Sequence, residues 1–391
     1  MTTISKQQGF VLLLFVTVLT TAAATVTVKA LNHASQNTQL ARDKITAAAL
    51  AQAKEALIGY TVSQPSVVTQ TGYLNLPDLG PGMNPDGNAS GNFSGNKKDY
   101  SVIGKIPWKT FGILPSRDGQ GECLWYVISG RFKNYPKTDI FNWDTQGQID
   151  VIDSNNNPIA SNVAALLVAP GRPLTGQNRV QSDPAYTSCG GNYDASNYLN
   201  SYFTGSTNNR VALNTNNKAF TMTNNDRFLL VTIDDIFRPI IRRSDFMTQI
   251  RDLLDDPDLR LQVETSHPQT VTIAGKKGTN NVDCDHIDNT NNNNFCKNWE
   301  EMLLLTQLPA PASIIIDGAA TPACNRVLIF GGRKTADQVR QTNADKNSPA
   351  NYLEGANLTA FDTPTAHSSS FNGALNFSAG NPSADLLRCL P

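Results

Sequence analysis

Residues 10–28, FVLLLFVTVLTTAAATVTV, carry no charge, and residues 29–60 then change texture without a break. Over 29–60, Ala34, Ala41, Ile45, Ala48, Ala49, Ala53, Ala56, Leu57 and Tyr60 recur near helical spacing. Asp43, Lys44, Lys54 and Glu55 fall elsewhere, and neither proline nor glycine occurs before Gly59. The two stretches predict one helix over 10–58, about 73 Å long at ~1.5 Å per residue, apolar all round in its first half and amphipathic in its second. The uncharged run alone would span about 28 Å, close to the thickness of a bilayer core.

Past Tyr60 the pattern changes. Residues 61–100 are rich in turn-forming residues, with Pro65, Gly72, Pro77, Gly80-Pro81-Gly82, Pro85 and Asp86-Gly87. Aromatic and β-branched runs then predict strands at Cys123–Ile128, 147–152, Val163–Val168 and Asn225–Ile233, with turns at Asp118-Gly119 and over 153–158. Asp234 or Asp235 is placed to cap a helix carrying Ile236 and Phe237, 244–256 reads as a helix with Ser244 as its N-cap, and Trp299–Leu305 as a short apolar helix. The expected fold is therefore α+β: a long N-terminal helix packed on an antiparallel β-sheet body (61–391), with a small helical insertion over 235–310.

An internal echo runs through the body. The apolar run 163–168 is followed by Gly171-Arg172, Gln177, Arg179 and Asn197-Tyr198-Leu199; the run Val327–Phe330 by Gly332-Arg333, Gln338, Arg340 and Asn351-Tyr352-Leu353. The spacing from the first arginine to Gln and to the second arginine is the same in both. These arginines are expected to pin loops by hydrogen bonds rather than to bind a ligand.

Composition restricts the setting. Charged residues are 17% of the chain and the net charge is −1, so no electrostatic footprint for nucleic acid exists. The low charge, balanced by Asn, Thr, Ser and Gly, suits an exported protein. All six cysteines, Cys123, Cys189, Cys284, Cys296, Cys324 and Cys389, lie in the body, and none forms a CxxC pair. An even count behind an export-type segment predicts disulfides, with Cys284–Cys296 the best single pair because it closes a short polar loop.

Three fates are open to the N-terminal run: removal by a signal peptidase after Ala24, retention as a plain anchor, or cleavage between Gly9 and Phe10 with the run kept. The run is longer than the ~7–15 residues of a signal-peptide core, and a discarded signal needs no helical extension. The junction Lys6-Gln7-Gln8-Gly9-Phe10, followed by an apolar run and a continuous helix, resembles the prepilin N-terminus of type IV pilins and type II secretion pseudopilins. That resemblance covers about 60 residues. It implies a leader of residues 1–9 removed by a prepilin peptidase, a methylated Phe10, a helix over 10–60 held in the bacterial inner membrane with the body in the periplasm, and assembly with other pilin or pseudopilin subunits in a filament or at the cell surface. Most pilins carry Glu at the fifth mature position, where this chain has Leu14. A subunit without that carboxylate can start or cap a filament but repeats poorly, so the resemblance implies a minor subunit. The block containing Pro107-Trp108, Cys123-Leu124-Trp125-Tyr126 and Asn142-Trp143-Asp144 is also similar to prepilin-like proteins, without implying a role. The alternative is a secreted or membrane-anchored adhesin or binding protein outside any filament.

Candidate chemistry is sparse. Asp283, Asp285, Asp288, Asn289 and Asn291 concentrate oxygen ligands that could wrap calcium, the one cofactor considered. The spacing departs from an EF-hand and lacks its closing Glu, and a disulfide-closed polar loop that binds nothing is the plainer reading. His286 beside Cys284 matches no usual zinc spacing. No Ser-His-Asp set, nucleophile elbow, phosphate loop or dinucleotide motif can be nominated, so no enzyme is expected. Trp108, Trp125, Trp143 and Trp299 are expected to pack in the core.

Overall fold

The computed structural model describes residues 35–64, 71–92, 96–153, 155, 157–199, 218–221, 225–265, 272–273, 284–362 and 370–391. The Gly9–Phe10 junction, the apolar run 10–28 and Leu14 lie outside them. Among the described residues no helix is long and apolar enough to cross a membrane.

Helix α1 covers 35–63. It runs past the expected end at 58, through Gly59, whose Cα faces open space. The last turn is held by packing, because Thr61 is buried and Tyr60 and Val62 lie against the core. Its buried stripe is Thr46, Leu50, Ala53, Leu57 and Thr61, spaced four, three, four and four apart. The sequence pattern also placed Ala41, Ile45 and Ala48 on an apolar face; these three are exposed.

Seven strands follow: β1 (Val102–Lys105), β2 (Trp125–Ile128), β3 (Ile149–Ile152), β4 (Pro158–Val163), β5 (Ala165–Ala169), β6 (Lys218–Thr221) and β7 (Arg227–Val231). A four-stranded antiparallel sheet has the order β1-β2-β5-β7. Its two central strands are buried throughout. Alternation sends Tyr126, Ile128, Ala165 and Leu167 to the face that α1 covers with Leu50, Ala53 and Leu57. Trp125, Val127, Leu166 and Val168 point the other way, onto Ile149 and Val151 of β3, Val163, and Tyr198. There β3 pairs antiparallel with β4 and parallel with β6.

Helices α2 (Ile233–Ile240), α3 (Ser244–Leu254) and α4 (Pro257–Thr265) come next, then β8 (Thr272–Ile273), α5 (Thr290–Trp299), β9 (Leu303–Ala312), β10 (Ile315–Ile316), β11 (Ala319–Ala320), β12 (Cys324–Phe330), α6 (Asn343–Lys346), α7 (Gly355–Asp362), β13 (Asn372–Gly373) and β14 (Leu386–Leu390). Three expectations need correction. The N-cap of α2 is Thr232; Asp235 sits at the third helical position and closes a capping box with it. Ser244 is the first residue of α3, with Arg243 at the cap. Trp299–Leu305 is helical only as far as Met302: α5 ends at Trp299, a 3-10 turn covers Glu300–Met302, and Leu303, Leu304 and Leu305 belong to β9, buried on both faces. A short continuous apolar run has no period, so it does not separate a buried helix from a buried strand.

The second sheet has the order β14-β12-β9-β8, antiparallel throughout. Residues Leu303–Gln307 of β9 oppose Phe330–Arg326, and the register then shifts before Ala312 meets Cys324. Pro309 and Pro311 fall in the shifted stretch, where they have no N–H to give a ladder. Both four-stranded sheets therefore run through their strands in chain order, β1-β2-β5-β7 and β8-β9-β12-β14. The echoed apolar runs lie at the same place in each, leading into or through the third strand. The two sheets share one core with α1 to α5, centred on Trp143, Phe246, Trp299 and Phe330, where Trp143 and Trp299 meet edge to face at 4.5 Å.

Candidate functional site

Helix α1 docks through polar contacts as well as its apolar stripe. Thr46 accepts a hydrogen bond from the Gly119 amide at 2.9 Å. The Asp118-Gly119 turn lies so close that a Cβ on Gly119 would stand 2.2 Å from the Arg42 carbonyl oxygen. Lys54 pairs with Asp235 at 2.8 Å, tying α1 to the capping box of α2. Arg243 donates to the carbonyls of Val62 and Gln64 at the helix end. Ahead of Thr46 the described helix is mostly exposed, with Leu40 and Ile45 each 54% accessible. Residues 35–45 therefore extend about 17 Å before the buried stripe begins, presenting Leu40, Ala41 and Ile45 to the outside.

Two of the proposed calcium ligands, Asp285 and Asn289, have side chains engaged in other bonds. Asp283 lies outside the described residues. Asp285 pairs with Lys297 at 2.6 Å, and that cation holds its carboxyl below the usual range. Asn289 is the N-cap of α5, its side-chain oxygen accepting from the amides of Asn291 and Asn292. Asn291 lies in the first turn of that helix, and the Asp288 amide donates to Asp258. Among the described residues no group of three His, Cys, Asp or Glu side chains is arranged to hold a metal ion.

The cysteines divide. Cys284 and Cys296 are bonded, with S–S 2.01 Å, as are Cys123 and Cys189, with S–S 2.09 Å. Cys324 and Cys389 are thiols in this structure, so the expected pairing is seen for four of the six cysteines.

The echoed arginines bring the two halves of the body into one pattern. Arg179 donates through Nε to the Asn197 carbonyl (2.8 Å), through Nη1 to the Gly171 carbonyl (2.8 Å) and through Nη2 to Gln177 Oε1 (2.9 Å), and its guanidinium lies 4.8 Å from the Tyr198 ring centre. Arg340 repeats each contact: Nε to the Asn351 carbonyl (2.5 Å), Nη2 to the Gly332 carbonyl (3.0 Å) and to Gln338 Oε1 (3.2 Å), with the Tyr352 ring centre 4.2 Å away. The asparagines also match, Asn197 accepting from the Asn178 amide and Asn351 from the Val339 amide. A short 3-10 turn presents each Asn-Tyr pair, Ala195–Asn197 and Pro349–Asn351. The arginines pin loops, as the sequence suggests. The carboxylates that neutralise them come from unrelated places: Glu122 for Arg179 at 3.2 Å and Asp144 for Arg340 at 3.0 Å. Neither partner has a spacing that sequence reasoning could have found.

Beside Arg340 opens a polar cavity of about 320 Å³ whose walls include Arg131, Asn142, Asp144, Glu301 and Lys346. Glu301 is paired with Lys346 and Asp144 with Arg340. Elsewhere, burial pushes Lys105 down to about 8; its ammonium donates to the Gly190 carbonyl and lies 4.3 Å from the Tyr193 ring centre. Burial also raises Asp385 to about 7, against hydrogen bonds from Asn357 and the Gly332 amide. Both groups brace loops away from the polar cavity. Trp125, Trp143 and Trp299 are buried and Trp108 is partly covered, packed on Gly87.

No protein-family model matches the chain, and no curated protein or solved structure is significantly similar to it.

Proposed function

We propose that this chain is a prepilin-like minor subunit that starts or caps a type IV pilus or a type II secretion pseudopilus. The observation that carries the reading is the Gly9–Phe10 junction, placed between a short polar leader and an apolar run that leads on toward α1. The architecture of α1 supports it. Its second half is fastened to an antiparallel body by the stripe from Thr46 to Thr61, while Leu40, Ala41 and Ile45 precede that stripe and face outward. A helix so arranged offers an apolar surface to neighbouring helices before it reaches its own body. Leu14 supports an initiating or capping place over a repeating one, since a repeating subunit uses a carboxylate there to meet its neighbour's N-terminal amine. In this reading the work of the protein is assembly: processing after Gly9, membrane retention of the apolar run, and helix packing, with no reaction catalysed by the body.

Mass spectrometry of the mature N-terminus tests the proposal. A methylated Phe10 is expected. A chain beginning at Thr25, or an intact Met1, overturns it. A deletion strain that retains piliation and secretion but loses adhesion would instead identify an adhesin.

A further inference from the structure

Cys324 opens β12, and Cys389 stands on neighbouring β14, opposite Val327. The segment ahead of β12 folds back over this register. Cys389 Sγ donates to the Pro322 carbonyl at 3.5 Å, two residues before Cys324, and Cys324 Sγ donates to the Ala312 carbonyl at 3.1 Å. Cys389 is near enough to perturb the buried Cys324 thiol. We propose that Cys324 and Cys389 are a modification site, closing a third disulfide by exchange with an external disulfide oxidant.

The pair is asymmetric, and the asymmetry sets the order of events. Cys324 is fully buried, while Cys389 is partly accessible. Burial first, and then the neighbouring Cys389, push the Cys324 thiol up to about 12, so it is a poor nucleophile while the site is closed. Cys389 therefore attacks first. After losing its proton to solvent, its sulfur bonds to one sulfur of the oxidant and expels the other as a thiolate. Cys324 then loses its proton and attacks Cys389 Sγ, breaking the mixed disulfide and releasing the second thiolate. The pair gives up two protons and two electrons, and the oxidant's disulfide is reduced to two thiols.

The bond would add a second long-range bridge to the body. Cys123 and Cys189, separated by 66 positions, reach across the strand pair that precedes the Arg179 loop and into that loop. Cys324 and Cys389 are 389 − 324 = 65 positions apart and bracket the Arg340 loop. Each four-stranded sheet would then carry one long-range bridge around its pinned loop, and β14 would be fastened to the segment that leads into β12.

The pairing rests on the geometry; its formation in the cell rests also on the export proposed above, and two measurements separate them. The full-length chain is reduced at Cys324 and Cys389, given excess oxidised glutathione, unfolded, alkylated and mapped by mass. A Cys324–Cys389 cross-linked peptide with no alkylated cysteine is expected. The Cys324→Ser variant should trap glutathione on Cys389, and the Cys389→Ser variant should leave Cys324 reacting at least about ten-fold more slowly. Persistent thiols, glutathione on both residues, or either cysteine bridged to a different partner would overturn the pairing. The second measurement alkylates the chain directly in cells. A bridged pair there supports both pairing and export; thiols in cells, in a chain that closes with glutathione, would leave the pairing standing and count against export.

Discussion

Replacing Arg340 and Arg179 separately with methionine compares one hydrogen-bonding pattern in two electrostatic settings. The Arg340 side chain is 1% exposed and its partner Asp144 is 2% exposed. Removing the guanidinium leaves a buried carboxylate short of its main partner and strips the Gly332 and Asn351 carbonyls of a donor. Breaking a buried ion pair from one side costs ~3–5 kcal/mol, and each orphaned carbonyl adds roughly 1 kcal/mol. Lys334, 3.8 Å from the other Asp144 oxygen, offsets part of this, so a loss of about 4 kcal/mol is expected, roughly 5 °C in Tm for a chain of this length. Arg179 makes the same carbonyl contacts, but its partner Glu122 is 25% exposed and regains water when the arginine is gone. That variant should lose only ~1–2 kcal/mol. Thermal and urea unfolding of both variants, together with an Arg340→Met/Asp144→Asn double-mutant cycle, measures the difference. A coupling energy of about 2 kcal/mol is expected for the 340–144 pair. Equal losses at the two arginines, or additive effects in the cycle, would refute the claim that burial of the carboxylate decides the cost.

Other outcomes follow from the same geometry. Gly119→Ala forces a Cβ against the Arg42 carbonyl, only 2.2 Å away; limited proteolysis should then cut within 35–63 far faster than in the parent, and unchanged protection would show that the turn yields. Leu57→Ala empties a fully buried site under α1 and should cost ~2–4 kcal/mol in chemical unfolding. Asp385, raised to about 7 by burial, binds its proton more tightly folded than unfolded. Stability should therefore fall as pH rises from about 4 to 7, and Asp385→Asn should flatten that slope. Lys105, lowered to about 8, has the opposite sign: the unfolded chain holds the proton longer, so stability should rise between pH 8 and about 10, a rise that Lys105→Met should reduce.

Much of the fold was legible because it is written in local periodicity. The helical spacing after residue 28, the β-branched runs at 125–128 and 227–231, and the amphipathic stretch that became α3 each carry their own signal. The stretch 302–305 did not, since a run of apolar residues buried on all sides has lost the alternation that separates helix from strand. Calcium ligation was argued from oxygen density alone; the tertiary contacts show Asn289 capping a helix and Asp285 paired with Lys297. The Gly9–Phe10 junction is a feature of sequence alone, and its test is chemical.

By itself the sequence determined that a long helix leads into a disulfide-bearing α+β body, and that two loops are built to one plan, because spacing and residue type are properties of the chain. Only the tertiary structure decided which strip of α1 is buried, which carboxylate meets each arginine, and which cysteine Cys123 bonds. Those outcomes depend on groups brought together from distant positions: Asp144 meets Arg340 because aromatic packing of Trp143 against Trp299 and Phe330 carries its neighbour there. Local spacing has no access to such distances, whereas burial, once set by the core, leaves each charge few choices of partner.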